Sequence, residues 1–373
     1  MEKRYNKQLG IELPLLAFGA MRLPKLDDKI DFDSAVEMVN YAMENGLNYF
    51  DTAYPYHNGE SETFLGKVLP KYERSSYFLT DKMPIYNIKK EGDAEKYFNE
   101  QLEKCQTEYF DFYLLHAMNK DRVKIMEEFN LYDFLLKKKA EGKIKYIGFS
   151  FHDDNETLEN LVSNYKWDFV QLQINYYDWY EFEAKKQYEI LEKYNLPCFV
   201  MEPVRGGFLS SLAPNVEKHM TNYNKEATIS SWAIRWVSSL PNIAVVLSGM
   251  SNMEQLKDNI STMSPFNPIN EDELKVIDTV VEELRKIKPI PCTSCRYCMP
   301  CPAGVNIPGI FTIYNNYKKT ENITYVKNSY LNNLQSTAQA HNCVKCGACI
   351  SVCPQHIDIP TELAKIDKEI KSL

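Results

Sequence analysis

The sequence predicts an α/β fold class: a closed (β/α)8 barrel over residues 1–287, followed by a small, mainly helical domain over residues 288–373. Three observations lead to this prediction. Eight short runs rich in β-branched and aromatic residues alternate with eight amphipathic stretches. Eight of the ten cysteines lie after residue 291. A proline-containing connector, Lys288–Cys292, marks the break in composition between the two parts.

Each predicted strand is followed by a predicted helix, and eight such units in about 250 residues are typical of a closed barrel. An open, doubly wound sheet is the alternative. That fold normally has a G-x-G-x-x-G turn after its first strand, whereas the turn here reads GAMRLPKLDD. The predicted strands are Leu15–Met21, Tyr49–Ala53, Ser76–Met83, Phe110–Ala117, Ile144–His152, Phe169–Asn175, Cys198–Pro203 and Ile243–Gly249.

The predicted helices have apolar residues at intervals of three to four, which places one apolar face on each helix. A ninth helix is expected after the last barrel unit. These helices are Phe32–Gly46, Glu60–Tyr72, Asp93–Gln106, Asp121–Gly142, Asn155–Tyr165, Glu181–Tyr194, Ala227–Leu240, Asn252–Thr262 and Glu271–Lys286.

Composition and charge argue against several classes of protein. The chain has 373 residues, of which 44% are hydrophobic, and this is ordinary globular composition. A net charge of −8 without a long basic stretch argues against nucleic acid as a partner. The first residues are polar, and no apolar run approaches the ~18 residues that cross a bilayer. We therefore expect no membrane association and a cytoplasmic protein.

The C-terminal cysteines form two similar motifs, each a triplet spaced by two residues and followed by Cys-Pro. Such a triplet turns three thiolates toward one cubic cluster, and the cysteine of Cys-Pro commonly binds the other cluster of a pair. Two zinc sites, each with four cysteine ligands, are the alternative, but such sites typically use paired C-x-x-C units. The spacing therefore predicts two [4Fe–4S] clusters, one held by Cys292, Cys295, Cys298 and Cys353, the other by Cys343, Cys346, Cys349 and Cys301.

The segment between the two motifs is long and has helical periodicity. Apolar and aromatic residues recur at helical spacing over Ile310–Ala340, and 41 residues separate Cys301 from Cys343. In these features the C-terminal domain resembles the helical two-cluster ferredoxin domain of the iron–sulfur subunits of succinate dehydrogenase and fumarate reductase. The resemblance implies a ferredoxin-like fold for residues 288–373.

Polar residues end three neighbouring strands of the predicted TIM barrel, where the active site of such a barrel lies. Asp51 ends the second strand with Tyr56 just beyond it, Lys82 ends the third and His116 ends the fourth. The motifs DTAYPY, GESE, TDK, YLLH and GFS, in this order, resemble the aldo/keto reductase family. The family's catalytic tetrad falls on Asp51, Tyr56, Lys82 and His116.

The resemblance implies an NAD(P)H-dependent oxidoreductase that reduces an aldehyde or a ketone. A phenol with a pKa of about 10 is a weak acid at pH 7, so the Lys82 ammonium is expected to favour proton release from Tyr56, the general acid. Asp51 is expected to hold Lys82 in place. His116 is expected to donate a hydrogen bond to the substrate oxygen.

The resemblance also implies contacts to the nicotinamide end of the nucleotide. Ser150 and Gln173 match the carboxamide ligands of the family. Met201 stands where an aromatic side chain commonly stacks on the nicotinamide, and a thioether can also pack on a ring face. Met21 and Arg22 match the loop after the first strand.

Other predicted contacts lie toward the pyrophosphate and the adenosine. Ser248 and Gln255 replace the Lys and Arg of NADP-specific members, which weakens the case for a bound 2′-phosphate and leaves NADPH or NADH open. The pyrophosphate region corresponds to Pro203, Val204 and Gly206, and the adenosine end to Ser248, Gly249, Met250, Gln255 and Asn259.

Three hypotheses for function follow, because a hydride carries two electrons, a cluster changes by one, and no flavin motif is visible. In the first, the barrel reduces a small carbonyl substrate and the clusters are structural or regulatory. In the second, the protein is an electron-transfer relay whose clusters pass electrons between a redox partner protein and a substrate or flavin. In the third, it is a nucleotide- or oxygen-sensing scaffold. The four tetrad residues favour the first.

Overall fold

The computed structural model describes residues 1–27 and 29–373, which form two compact units. The first unit consists of Met1–Pro203 and Ser230–Asn270, and the second of Val204–Ile229 and Glu271–Leu373. The second unit is larger than the predicted C-terminal domain, because the helix Glu271–Ile287 packs against another helix of that unit, Pro214–Tyr223. The domain boundary at residue 287 stays a prediction.

Eight parallel strands close into a barrel in the first unit, and this confirms the predicted fold class. The last strand pairs in parallel with the first and closes the ring. In chain order, β1–β8 are Leu16–Gly19, Tyr49–Asp51, Phe78–Met83, Phe110–Met118, Ile144–Phe151, Phe169–Gln173, Cys198–Met201 and Ile243–Gly249.

Aromatic side chains fill the interior of the barrel. Tyr49, Phe112, Phe169 and Phe199 pack against one another with ring centroids 4.5–6.1 Å apart. Side chains alternate between the two faces of a strand, so Tyr49 places Asp51 on the same inward face of β2. The aromatic layer fills the middle of the barrel, and the polar residues lie beyond it, at the carboxyl ends of the strands.

The helices beside the barrel follow the predicted order with two differences, and the helix Pro214–Tyr223 of the second unit was not predicted. The predicted helix Asp121–Gly142 is two helices, separated at Asn130, whose φ of 51° is incompatible with a continuous right-handed helix. The short helix Tyr176–Glu181, capped by Asn175, was not predicted. The helices beside the barrel are Phe32–Glu44, Glu60–Val68, Asp93–Lys104, Lys120–Glu128, Leu131–Ala140, Asn155–Asn164, Tyr176–Glu181, Ala184–Lys193, Ile229–Ser238 and Met253–Thr262.

The second unit is helical, and its repeated sequence motif starts two helices in the same way. Asn306 accepts a hydrogen bond from Gly309 N at one helix start, and Asp358 accepts one from Thr361 N at the other. The predicted helical stretch after residue 310 is broken near Glu321, continues through a π-helical turn to Asn333, and ends in two 3-10 turns. The helices of this unit are Pro214–Tyr223, Glu271–Ile287, Ile307–Thr320, Ile323–Lys327 and Ile359–Ser372.

Two short hairpins complete the strands of the first unit, and neither was predicted. The first pairs Lys3–Asn6 with Ile11–Pro14, and the second pairs Lys25–Leu26 with Lys29–Ile30. Across the described residues, every helix is too short or too polar to cross a membrane.

Candidate active site and cluster cavities

The four predicted tetrad residues lie together at the carboxyl ends of β2, β3 and β4. The Lys82 ammonium donates hydrogen bonds to Asp51 Oδ1 at 2.7 Å and to the Thr52 carbonyl at 2.6 Å. Lys82 is fully buried and Asp51 is 3% exposed. A buried ammonium is stable only when it is paired and hydrogen-bonded, and both conditions are met here.

Tyr56 lies over this ion pair. Its ring centroid is 4.8 Å from Lys82 Nζ and 6.2 Å from the His116 ring. The chain turns sharply after Tyr56, since His57 and Asn58 have φ values of 51° and 56°, and Gly59 supplies a φ of 91° that a side chain would oppose. The turn therefore directs Tyr56 back to the strand ends.

A β-bulge positions His116. The pairing of β4 with β5 shifts register between Leu115 and Met118, and Ala117 adopts a φ of 55°. The Ala117 N–H donates to Ser150 Oγ at 2.7 Å, which fixes the bulged backbone. Bulges of this kind re-aim a side chain beside a functional site.

Burial shifts the pKa values of Asp51 and His116 in opposite directions. Burial raises the pKa of Asp51, and the Lys82 ammonium opposes that rise. Burial lowers the pKa of His116 well below its ordinary value, with further lowering by Lys82, Arg122 and His152. His116 is therefore a neutral imidazole at pH 7, which donates one hydrogen bond without carrying a charge.

A buried polar network supports the backbone of β3 behind Lys82. Gln101 Nε2 donates to the Lys82 carbonyl at 3.0 Å and to Glu62 Oε1 at 2.9 Å, and Tyr113 donates to Gln101 Oε1 at 2.6 Å. Lys104 pairs with Glu62 at 3.2 Å. The network fixes the strand end that presents Lys82 and gives Glu62, part of the GESE motif, a structural partner.

Close helix packing also explains Gly66, which lies one turn beyond Glu62. A Cβ on Gly66 would lie 2.0 Å from the Lys104 carbonyl oxygen. Only glycine permits this approach of the helices Glu60–Val68 and Asp93–Lys104.

The predicted nicotinamide contacts are placed on β5, β6 and β7. Ser150 is 1% exposed and holds the bulge beside His116. Gln173 donates to Asp178 Oδ2 at 2.7 Å, so its orientation is fixed by the short helix after β6. Met201 ends β7, and its sulfur accepts a hydrogen bond from Gln171 at 3.4 Å.

The predicted adenosine residues cluster after β8. Asn259 donates to Ser248 Oγ at 2.8 Å, and both side chains are buried. Gln255 is exposed, and its side-chain oxygen accepts from Ser251 N at 2.8 Å. Met250 is buried next to this turn. Of the five predicted adenosine residues, Gln255 and Gly249 are exposed to solvent.

The loop after β1 packs against β8. A Cβ on Gly249 would lie 2.4 Å from Arg22 Cγ, so the stem of Arg22 packs directly against that glycine. Arg22 also lies 3.9 Å from Glu202. Met21 precedes it in the same turn, Ala20–Arg22.

Two predicted pyrophosphate residues, Val204 and Gly206, belong to the second unit, whereas Pro203 ends a segment of the first. Gly206 has a φ of 62°, and a Cβ there would lie 2.3 Å from the Thr293 carbonyl oxygen. This close approach to the first cysteine loop requires glycine independently of any nucleotide.

Two residues beside the tetrad have no counterpart in the sequence predictions. Tyr86 follows β3 in the turn Ile85–Asn87, and its ring lies 6.1 Å from the His116 ring. Arg122 lies in the first turn of the helix after β4, and its guanidinium lies 5.4 Å from the Tyr86 ring centroid. Neither residue belongs to a motif. The one sequence signal that could have indicated them is their position, a few residues beyond the polar ends of β3 and β4.

The eight cysteines of the tail line two cavities. One is lined by Cys292, Cys295, Cys298 and Cys353 together with the neighbouring Pro354. The other cavity, of about 170 Å³, is lined by Cys301, Cys343, Cys346 and Cys349. Cys298 borders this cavity as well as the first. Each cavity thus brings one triplet together with the Cys-Pro cysteine of the other motif, which is the grouping that the spacing predicted.

The strongest electrostatic neighbours of two cysteines fit the same grouping. Burial, then Cys292 and Cys353, and to a smaller extent Cys349 of the other quartet raise the pKa of Cys298 to about 12. Burial raises the pKa of Cys349, and Cys343 and Cys301 raise it further. Four thiolates around one cavity are the donor set of a [4Fe–4S] cluster, so the residues fit that group.

No three His, Cys, Asp or Glu side chains within residues 1–27 and 29–373 converge as ligands of a single metal ion. A cluster binds each cysteine through a different iron and keeps the four sulfurs further apart than one ion does.

Comparison with known proteins identifies both parts of the chain. The model of the aldo/keto reductase family matches residues 15–282, and that of a 4Fe-4S dicluster domain matches residues 291–357. The chain is 24% identical over 316 residues to L-galactose dehydrogenase of Arabidopsis thaliana, covering 77% of this chain and 96% of the relative. It is 23% identical over 313 residues to the oxidoreductase YqkF of Bacillus subtilis, covering 75% and 96%.

Solved structures show the same barrel. The holo form of the aldo-keto reductase AKR11C1 from Bacillus halodurans matches with a TM-score of 0.60 and 22% identity, covering 75% of this chain and 96% of that one. An aldo-keto reductase from Klebsiella pneumoniae in complex with NADPH matches with a TM-score of 0.59 and 19% identity, with the same coverage of each chain. Because the sequence identities are below 25%, this structural similarity is evidence for the fold alone.

The family match spans more than half of the chain, and the dicluster match covers the segment that holds all eight clustered cysteines. The chain therefore belongs to the aldo/keto reductase family, as an NAD(P)H-dependent oxidoreductase whose C-terminal domain carries two [4Fe–4S] clusters.

Proposed function

We propose that the barrel reduces an aldehyde or a ketone by hydride transfer, with Tyr56 as the proton donor. The observation that carries this proposal is the buried Lys82 ammonium, held 2.7 Å from Asp51 and 4.8 Å from the Tyr56 ring. Bound NAD(P)H supplies the hydride. The residues of the chain bind the carbonyl, orient it and deliver the proton.

Tyr56 must release its proton as negative charge develops on the substrate oxygen. The Lys82 ammonium stabilises the phenolate that forms, and each pKa unit of this effect is worth about 1.4 kcal/mol. Asp51 and the Thr52 carbonyl hold the ammonium in one position. The hydrogen bond from Gln101 to the backbone of Lys82 keeps β3 from shifting.

His116 orients the carbonyl. As a neutral imidazole beside the Tyr56 ring, it donates a hydrogen bond to the substrate oxygen and stabilises the charge that develops there. A charged imidazolium would compete with Tyr56 as the proton donor, and the low pKa of His116 prevents this at pH 7.

The pH dependence of kcat/KM tests the protonation state of His116. Because its pKa lies well below the ordinary 6.5, we expect no inflection from His116 near pH 6.5. Activity in the reduction direction should fall only at high pH, where Tyr56 loses the proton that it must donate. A step near pH 6.5 that is absent from His116→Gln would contradict this assignment.

The proposed function is tested with anaerobically purified protein that holds both clusters. NADH or NADPH is supplied together with a panel of aldehydes and ketones, and nucleotide oxidation is compared with the amount of alcohol formed. We expect one alcohol per nucleotide oxidised. Nucleotide oxidation that yields no alcohol, or no oxidation with any carbonyl, would contradict the proposal.

The residue at position 255 is expected to control the choice of nucleotide. Gln255 is exposed and uncharged, so the chain should bind NADH at least as well as NADPH. Gln255→Arg should tighten NADPH binding about 10- to 100-fold, because a charge-assisted hydrogen bond to a phosphate is worth about 1.5–3 kcal/mol. Fluorescence titration with both nucleotides measures this change.

Ser261→Arg is the matched control, since it adds the same charge at an exposed position near the end of the same helix, Met253–Thr262. It should leave the ratio of the two dissociation constants within about twofold, as expected for a screened surface charge. Equal tightening of NADPH by both variants would show that Gln255 has no specific role.

We also propose that the two cysteine quartets are the cluster ligands. One is Cys292, Cys295, Cys298 and Cys353, and the other is Cys301, Cys343, Cys346 and Cys349. The grouping of the side chains around two cavities supports these pairings, although Cys298 borders both cavities and belongs to the first by its spacing. Each bound cluster supplies one-electron chemistry.

One observation favours the electron-transfer relay as a second candidate function. Cys346 is exposed, and the neighbouring Val344 is 69% exposed, so the second quartet lies at the protein surface. Electron transfer to a partner protein requires a cluster close to the surface. The relay predicts that the clusters change oxidation state during turnover, whereas direct hydride transfer does not.

A further inference from the structure

We propose that the carbonyl substrate carries an anionic group, a carboxylate or a phosphate, which Arg122 and Tyr86 bind beside His116. This inference rests on the proposed function and names the substrate class of the same site. It stands on three observations: how Arg122 is held, the unpaired hydroxyl of Tyr86, and the charge of the surrounding side chains.

Arg122 is fixed at the carboxyl end of β4. Its backbone N–H donates to the capping side chain of Asn119 at 2.9 Å, at the start of the helix Lys120–Glu128. Its guanidinium donates to the carbonyl oxygen of Ala117, the residue that follows His116. The guanidinium is therefore held at the strand end that presents His116, rather than extended into solvent.

Tyr86 lies between Arg122 and His116. Its ring is 6.1 Å from the His116 ring, and the Arg122 guanidinium lies 5.4 Å from the Tyr86 centroid. Its hydroxyl group is buried without a hydrogen-bond partner among the described residues. A buried hydroxyl normally finds a partner, and a bound anion that accepts its hydrogen bond would supply one.

The charged side chains that act most strongly on His116 are basic, whereas the carboxylates of Glu62 and Asp81 act on Tyr86 together with Arg122. Besides burial, the groups that lower the pKa of His116 are Lys82, Arg122 and His152. Asp51 offsets Lys82 at 2.7 Å. The two acidic residues of the loop after β5 both contact Lys120. Asp153 accepts a hydrogen bond from the backbone N–H of Lys120 at 2.7 Å, and Asp154 pairs with the Lys120 ammonium at 2.6 Å.

Arginine is suited to this task because its planar fork of donors matches a carboxylate or a phosphate, and both partners are charged. With the carbonyl oxygen at Tyr56 and His116, the anionic group would extend toward Arg122 and Tyr86. The chemistry points to a short oxo acid, a semialdehyde or a phosphorylated aldehyde, rather than to an unsubstituted alkanal.

Matched substrate pairs test this inference on the holoenzyme. Succinic semialdehyde is compared with butanal, and glyceraldehyde 3-phosphate with glyceraldehyde, so the two arms separate a carboxylate site from a phosphate site. We expect the preferred anion to exceed its neutral partner in kcat/KM by about 10- to 100-fold, the range for one charge-assisted pair.

Arg122→Gln should remove most of this preference through the KM of the anionic substrate, and Arg122→Lys should restore part of it. Tyr86→Phe should reduce the preference without removing it. Lys124→Gln is the matched control, because Lys124 is exposed on the same helix and pairs with Asp121. The ratio of anionic to neutral kcat/KM is compared across these variants.

Equal kcat/KM for both members of each pair, or a preference that Arg122→Gln leaves intact, would overturn the inference while the proposed function stands. Calorimetry separates the remaining case, since 4-hydroxybutyrate and butanol can be titrated into the protein with reduced nucleotide bound, a combination that has no hydride acceptor and cannot turn over. Binding of the anion that depends on Arg122, in a protein that reduces no carbonyl, would support the site and contradict the proposed function. The absence of such binding would contradict the site as well.

Discussion

Replacing Tyr56 by phenylalanine is expected to lower kcat for carbonyl reduction about a thousandfold, the middle of the range for loss of a general acid. The substitution removes only the hydroxyl group. It keeps the ring 4.8 Å from the Lys82 ammonium and beside His116, so packing should be retained. Steady-state kinetics with a saturating carbonyl substrate measure the loss, and nucleotide titration shows whether binding survives.

Tyr54→Phe is the matched control, because it makes the same change two residues away. The Tyr54 hydroxyl donates to Glu100 at 3.2 Å, and its ring lies near Lys104, outside the tetrad. Its kcat should stay within about twofold of the parent. If Tyr56→Phe retained a similar fraction of activity, Tyr56 would not be the proton donor.

Replacing Cys353 by serine is expected to remove one cluster and lower the iron content from about eight to about four atoms per chain. The reason is that Cys353 lines the cavity of the first triplet, although it follows the second triplet in sequence. Iron and sulfide analysis of anaerobically purified protein measures the change.

Double variants show which cluster is lost. Adding Cys295→Ser to Cys353→Ser should lower the iron content no further, because both residues belong to one quartet. Adding Cys346→Ser should remove nearly all remaining iron. The reverse pattern would mean that Cys353 completes the cluster of its own triplet and that the pairing across the two motifs is wrong.

Hydrophobic periodicity predicts most of the barrel. All eight strands lie close to their predicted bounds, because β-branched runs buried on both faces leave a clear signal. The tetrad could be predicted because a barrel delivers its strand ends to one mouth. Asp51, Lys82 and His116 lie at strand ends, and a turn of positive φ residues returns Tyr56 to them.

The missed features depend on tertiary contacts. Tyr86 and Arg122 are brought to His116 by a loop and by a helix start, and neither position has a periodic pattern. The break at Asn130 depends on one left-handed residue inside an otherwise helical pattern. The nucleotide contact of Gly206 stays a prediction, and the close approach of Gly206 to the Thr293 carbonyl, far along the chain, has no signal in the local sequence.

Transfer of deuterium from labelled nucleotide tests the central claim most directly. NADH or NADPH carrying deuterium at both C4 positions of the nicotinamide is supplied in ordinary water, and the alcohol product is analysed by mass spectrometry. Hydride transfer in the barrel predicts one deuterium on the carbinol carbon of each product molecule. Alcohol that forms without deuterium would contradict the claim, because its electrons would then have passed through the clusters and its hydrogen would have come from solvent.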